Sequence, residues 1–168
     1  MKSSCQHICR NFGPLYDSES RILILGSFPS VKSREACFYY GHPRNRFWPL
    51  LAKLLECETP STVEERKLFA VRNHIALWDS IEECDIQGSD DSSIRNAVPV
   101  DIMQVLNTSP IRRIYANGAV SGKVYNQYLR PISGREATVL PSTSPANASW
   151  NLERLAEAWQ IILTDLRP

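Results

Sequence analysis

The segment FYYGHPRNRFW (Phe38–Trp48) gathers aromatics, a histidine, two arginines and an asparagine into eleven residues. Rings beside cations are what a site needs to stack a planar base and hold phosphate. A second segment, PSTSPAN (Pro141–Asn147), carries small hydroxyls, two prolines and no charge. Such a loop can approach a polyanion closely through its hydroxyls and backbone amides. Asn45 cannot act as a strong base, and its place just ahead of a helical pattern suits a cap for that helix. Cys5, His7 and Cys9 have the spacing of a metal clip, but no second ligand pair follows at zinc spacing. No metal or organic cofactor is therefore expected, and the cysteines read as free thiols.

The elements that must position these residues alternate. Arg21–Phe28 reads RILILGSF, a continuous apolar run ending in Gly and then Pro, the mark of a buried strand that feeds a loop. Ile75–Trp78, Ile111–Ala116 and Ala137–Leu140 read as further strands. Helical patterns run from about residue 47 to Glu56, from a capping box at Ser61–Glu64 to Arg72, over Val100–Leu106 and over Ala119–Leu129. In the last helix Leu152, Leu155, Ala156, Trp159, Leu163 and Leu166 share one stripe. Residues 82–97 are polar and acidic and read as a loop. The expected fold is α/β, a three-layer α/β/α sandwich around a mostly parallel four-stranded sheet. Ligands bind such sheets beyond the carboxyl ends of the strands, so the loops Ser27–Ser30, Asn117–Gly118 and Pro141–Asn147 should converge on one crevice.

With 168 residues the chain reads as a single domain over residues 21–168, preceded by an extension over residues 1–20. Its hydrophobic content of 43%, against 22% charged, excludes disorder, collagen and coiled coil. No apolar stretch is long enough for a membrane span or a secretory signal, so a soluble, cytoplasmic protein is expected. The net charge is +1, which excludes a globally basic coat and makes any polyanion contact local. Lys32, Arg34, Arg44 and Arg46 fall together against Glu35 alone, while residues 79–91 carry Asp79, Glu82, Glu83, Asp85, Asp90 and Asp91 with no cation. Asp79 is read with that acidic stretch rather than as a general base.

Taken in order, three motifs resemble those of the uracil-DNA glycosylase superfamily: LGSFPS (Leu25–Ser30), HPRNRFW (His42–Trp48) and VLPSTSPAN (Val139–Asn147). The likeness runs from about Arg21 to Leu166. HPRNRFW is similar to a stretch of the mismatch-specific uracil enzymes, but two positions depart from them. Phe28 stands where those enzymes have a water-activating Asn, and Ser142 where their second loop begins with Asn. The sequence thus looks more like the hypoxanthine-DNA glycosylase branch.

That resemblance implies a monofunctional glycosylase of base-excision repair that releases deaminated bases, hypoxanthine foremost, from DNA, and acts as a monomer without a cofactor. It makes Asn45 the catalytic amide, orienting water or the leaving base through an oxocarbenium-like state. Ser27, Phe28, Pro29, Tyr40 and His42 would surround the base, Tyr40 by stacking. Arg44, Arg46, Ser142, Ser144, Pro145, Ala146 and Asn147 would meet the DNA. A uracil-preferring enzyme, with Ser27 or Asn45 in place of the missing Asn, and a reader that binds damaged bases without cutting are the alternatives.

Overall fold

The computed structural model describes residues 4–168; residues 1–3, the start of the expected extension, lie outside the described residues. The chain runs through β1 (Gln6–Cys9), β2 (Ile22–Gly26), α1 (Val31–Ala36), α2 (Phe47–Leu54), α3 (Val63–Arg72) and β3 (Ile75–Asp79). It continues through β4 (Ile81–Gln87), β5 (Asp90–Pro99), α4 (Met103–Leu106), β6 (Arg113–Asn117) and α5 (Ala119–Tyr128). It ends with α6 (Arg130–Ser133), β7 (Ala137–Leu140), α7 (Leu152–Trp159) and α8 (Ile162–Leu166).

Strands β3-β2-β6-β7 form a four-stranded sheet, parallel throughout. Successive strand residues point to opposite faces, yet Ile22, Leu23, Ile24 and Leu25 are all fully buried. The central strand is therefore covered on both sides, as its unbroken apolar run predicts. One core joins this sheet to α2 and α7 through Phe47, Trp48, Leu155 and Trp159. On α5, a methyl added to Gly122 would fall 2.5 Å from Val139 of β7, so glycine is what lets that helix approach its strand.

The acidic stretch is not a loop. Residues 81–99 form the antiparallel hairpin β4–β5, and β1 adds to its edge in the order β1-β4-β5. Phe28, Ile81, Cys84 and Ile86, with Ile8, Ile94, Ala97 and Val124 around them, make a second, smaller core beneath it. Residues 6–20 are built into the domain: Leu15 bridges Leu77, and Ser109 Oγ donates to Asp17 O at 2.6 Å. The capping box sits one residue later than expected, with Thr62 and Glu65 as partners. The terminal helix breaks after Trp159 into α7 and α8, and Asn151 caps the first by accepting from Arg154 N at 2.8 Å.

Candidate active site

The expected convergence of loops is what the structure contains. The C-terminal ends of β2, β3 and β6 place Gly26, Asp79 and Asn117 on the floor of a cavity of about 200 Å³. Ser27, Phe28, Pro29 and Ser30 line one side, Tyr40, His42 and Asn45 a second, and Ser142, Thr143 and Ser144 a third. Sites for drug-sized ligands usually span ~300–1,000 Å³, so this one suits a ligand nearer the size of a single base.

Asn45 stands at the entry to α2, and its carbonyl is fully engaged. Phe47 N–H donates to Asn45 Oδ1 at 3.0 Å, and the Thr143 hydroxyl donates to the same oxygen at 2.8 Å. A carbonyl oxygen has two lone pairs, and both are used. Asn45 therefore braces the turn that enters α2, whose N-cap is Arg46, and its NH2 group is the donor left for the cavity it lines. Thr143 is completely buried and ties three loops together. Its N–H donates to Asn117 Oδ1 at 3.1 Å, and its hydroxyl accepts from Asn117 Nδ2 at 3.0 Å.

His42 Nδ1 accepts from Arg44 N at 3.0 Å, which puts the ring proton of the neutral imidazole on Nε2. Tyr40 has a left-handed backbone (φ 53°), a strained conformation for a bulky residue that turns its ring inward. Phe47 covers one face of that ring at a centroid distance of 3.8 Å, so only the other face can meet a ligand. Phe28 serves both as cavity wall and as part of the smaller core, with the Arg34 guanidinium 5.6 Å from its ring centre.

The Arg46 guanidinium is taken up by the neighbouring loop. It donates to the carbonyls of Ser144 (2.7 Å), Asn147 (3.1 Å), Thr143 (3.4 Å) and Trp150. It grips the 143–150 loop from within, while Arg44 is exposed. The loop also braces itself, since Ser142 Oγ accepts from Ser144 N and Ser144 Oγ from Ala146 N, two short Ser turns that leave Ala146 exposed. Arg46→Lys keeps the charge but loses the planar fork. We expect it to cost about 1.5–3 kcal/mol in a thermal melt and to weaken DNA binding through loss of loop shape; an unchanged melting temperature would rule out the clamp.

Sequence reasoning missed the floor. Asp79 is buried, with Oδ2 3.3 Å from Arg10 Nη1, and that contact falls short of hydrogen-bond geometry on both sides. Arg10 is held by Phe12 O at 2.8 Å and by the Tyr39 hydroxyl at 3.0 Å. Burial pushes the Asp79 carboxyl up to about 6, against the pull of Arg10. A methyl on Gly26 would lie 2.3 Å from Asp79 Oδ1 and 3.9 Å from the Tyr40 hydroxyl, so glycine here makes room for both groups. The Tyr40 hydroxyl is buried beside Asn117, and burial, reinforced by Asp79 and opposed by a hydrogen bond with Asn117, raises it above the usual phenol range. It remains a donor at all ordinary pH values. The hairpin supports the opposite wall. Ser89 Oγ accepts from Val31 N at 2.8 Å, Arg34 joins Pro29 O (2.8 Å) to Gly88 O (3.2 Å), and a bond from Ser27 counters the burial that raises Asp91.

A small polar cavity at the strand ends of a parallel sheet, walled by rings and by an uncharged Ser/Pro loop, defines an α/β domain with room for one small planar ligand. The family model of the uracil DNA glycosylase superfamily matches residues 14–166. A protein named hypoxanthine DNA glycosylase from Methanosarcina acetivorans is 36% identical over 157 residues, 92% of this chain and 98% of its own. A second protein of that name, from Methanosarcina barkeri, is 34% identical over 140 residues, 82% of this chain and 87% of its own. The solution NMR structure of a Methanosarcina acetivorans protein, named for uracil DNA glycosylase, superposes with a TM-score of 0.80 at 32% identity, covering 96% of this chain and 99% of that one. The chain belongs to the uracil DNA glycosylase superfamily. It is a DNA glycosylase with DNA as its substrate, and no helix among its described residues is long and apolar enough to cross a membrane.

Proposed function

We propose that this DNA glycosylase hydrolyses the N-glycosidic bond of deoxyinosine, releasing hypoxanthine and leaving an abasic site. The observation that carries the reading is the pair of groups on the cavity floor, the Tyr40 hydroxyl and the Asp79 carboxylate. Deamination of adenine replaces a ring-nitrogen acceptor and an amino donor with an N–H donor and a carbonyl acceptor. Asp79 can accept from that N–H while Tyr40 donates to the carbonyl. Adenine presents the reverse pattern, with its N1 lone pair toward the carboxylate. A lactam carbonyl gives the buried Tyr40 hydroxyl an acceptor in line with its O–H, and an imperfectly satisfied buried donor is costly. The names of the two Methanosarcina relatives support the same substrate.

In the bound state the extruded base lies against Phe28 with its lactam edge toward Asp79 and the Tyr40 hydroxyl, so that Tyr40 meets it through that hydroxyl rather than by stacking, and Ser27, Pro29 and His42 surround it. The C1′–N9 bond breaks with its electron pair staying on the base. Asn45 Nδ2 donates to the base as negative charge builds there, because its oxygen is already occupied by Phe47 N–H and the Thr143 hydroxyl. Water then adds to the sugar cation at C1′ and gives up a proton, which balances the charge on the departing base. Among the described residues lining the cavity there is no lysine. No Schiff base forms, and the strand is left uncut. Arg44, Ser142, Ser144, Pro145, Ala146 and Asn147 meet the DNA strand around the extruded nucleotide, and the protein works as a cytoplasmic monomer in base-excision repair.

Uracil carries the same lactam edge on a smaller ring, so a uracil-preferring enzyme is the second reading. Duplexes with one deoxyinosine or one deoxyuridine, incubated with the protein and then treated with alkali, separate the two. Faster breakage at inosine is expected. Breakage at uracil alone would transfer the protein to the uracil branch, and tight binding with no base release would make it a reader.

A further inference from the structure

The exposed face of the small sheet carries a cluster of ligand side chains that the glycosylase reaction does not use. In the β1–β4 register His7 stands opposite Asp85, and Cys9 opposite Glu83. Strand alternation sends Ile8, Cys84 and Ile86 into the smaller core and leaves these four on the other face. The Cys9 thiol donates to Glu83 Oε2 at 3.1 Å, and His7 Nε2 lies 3.7 Å from the same oxygen. The three ligand atoms all lie within 4.8 Å of one another. Around a tetrahedral zinc, bonds of about 2.0–2.3 Å place neighbouring donors about 3.3–3.8 Å apart.

A second observation concerns the back of the imidazole. His7 Nδ1 is 2.7 Å from Asp85 Oδ1, and Asp85 Oδ2 accepts from Asn96 Nδ2 at 2.7 Å. The carboxylate holds the ring proton on Nδ1 and leaves the Nε2 lone pair directed toward Cys9 and Glu83. A carboxylate behind the ring, itself held by a further hydrogen bond, is the support that orients metal-bound histidines.

We propose that His7 Nε2, Cys9 Sγ and a Glu83 carboxylate oxygen bind one zinc ion, with water as the fourth ligand and with Asp85 and Asn96 orienting His7. A nitrogen, a thiolate sulfur and a carboxylate oxygen form a mixed set that suits zinc better than magnesium or calcium. Binding releases the Cys9 thiol proton to solvent. The ion would fasten β1 to β4, and β1 leads directly into Arg10, which reaches Asp79 beneath the cavity. Its role is thus to fix the N-terminal strand. Sequence spacing could not reveal the site, because the third ligand arrives from the partner strand 74 residues away.

The full-length protein, stripped with a chelator, desalted and titrated with Co(II), tests this. One cobalt per chain is expected, with a thiolate-to-cobalt charge-transfer band that Zn(II) abolishes by displacement. Cys9→Ser should lose that band although Cys5, Cys37, Cys57 and Cys84 remain. Asp85→Asn should weaken binding by about 10–100-fold, with circular dichroism confirming the fold of each variant. A band of equal strength in Cys9→Ser, or wild-type affinity in both His7→Ala and Glu83→Gln, would overturn the site, as would failure of the wild-type chain to bind. Base release is not the readout, so the result stands apart from the proposed glycosylase reaction.

Discussion

Asn45→Ala should lower the single-turnover rate of hypoxanthine release by about 10²–10³-fold, the usual effect of removing one donor aimed at developing charge. The same change strips the Phe47 amide and the Thr143 hydroxyl of their shared acceptor, which should cost about 1–2 kcal/mol of stability. The two effects differ in size, so rate and thermal melt together separate catalysis from bracing of the helix entry. Asn45→Asp sharpens the test. A carboxylate keeps both structural contacts and removes only the NH2 group. If the amide nitrogen stabilises the leaving base, Asn45→Asp melts near wild type yet is as slow as Asn45→Ala. If the oxygen activates water, the aspartate variant retains its rate, which would reverse the assignment of the two amide atoms. An Asn45→Ala rate within a few-fold of wild type would remove the residue from catalysis.

The parts of this molecule legible in the sequence are those where a local pattern and its structural cause coincide. ILIL and IALW are continuous apolar runs because their strands are covered on both faces, and strands followed by polar loops in a parallel sheet leave the loops at one end. The hairpin escaped notice because bulges break its alternation. Ile81, Cys84 and Ile86 all point inward although the first two are three residues apart, and the register shifts between Ile81 and Glu83 and between Glu83 and Asp85. Its Gly88-Ser89 turn, two residues between strands, was the available signal. Asp79 was hidden by acidic neighbours, since only the tertiary structure shows that it is turned into the domain to meet Arg10. Arg46 illustrates a further limit, because residue type does not distinguish a cation facing a phosphate from one whose donors are taken by carbonyls. Thr143 lies between two residues assigned to DNA, yet it is the one that joins Asn45 to Asn117.

The pH profile of hypoxanthine release should fall on the acid side with a midpoint near the Asp79 value of about 6. Only the ionised carboxylate is a pure acceptor for the N1–H of hypoxanthine; once protonated, Asp79 can donate to N1 of adenine while Tyr40 accepts from its amino group. Activity on deoxyinosine should therefore rise as pH increases through about 6, and discrimination against adenine should rise with it. Stability should move the other way. Burial raises the folded-state value above the ordinary carboxyl value of 3.8, so the stabilising share of this group is complete below about 4 and is lost as pH climbs through about 6, on the order of 3 kcal/mol in all. The enzyme thus holds a carboxylate in its reactive form at the expense of fold stability. Asp79→Asn removes the titration. Its activity on deoxyinosine should drop about 10–100-fold, the worth of a hydrogen bond to a charged group, and its acid limb should flatten. An acid limb that survives unchanged in Asp79→Asn would take the titration away from Asp79 and leave the lactam without its proposed acceptor.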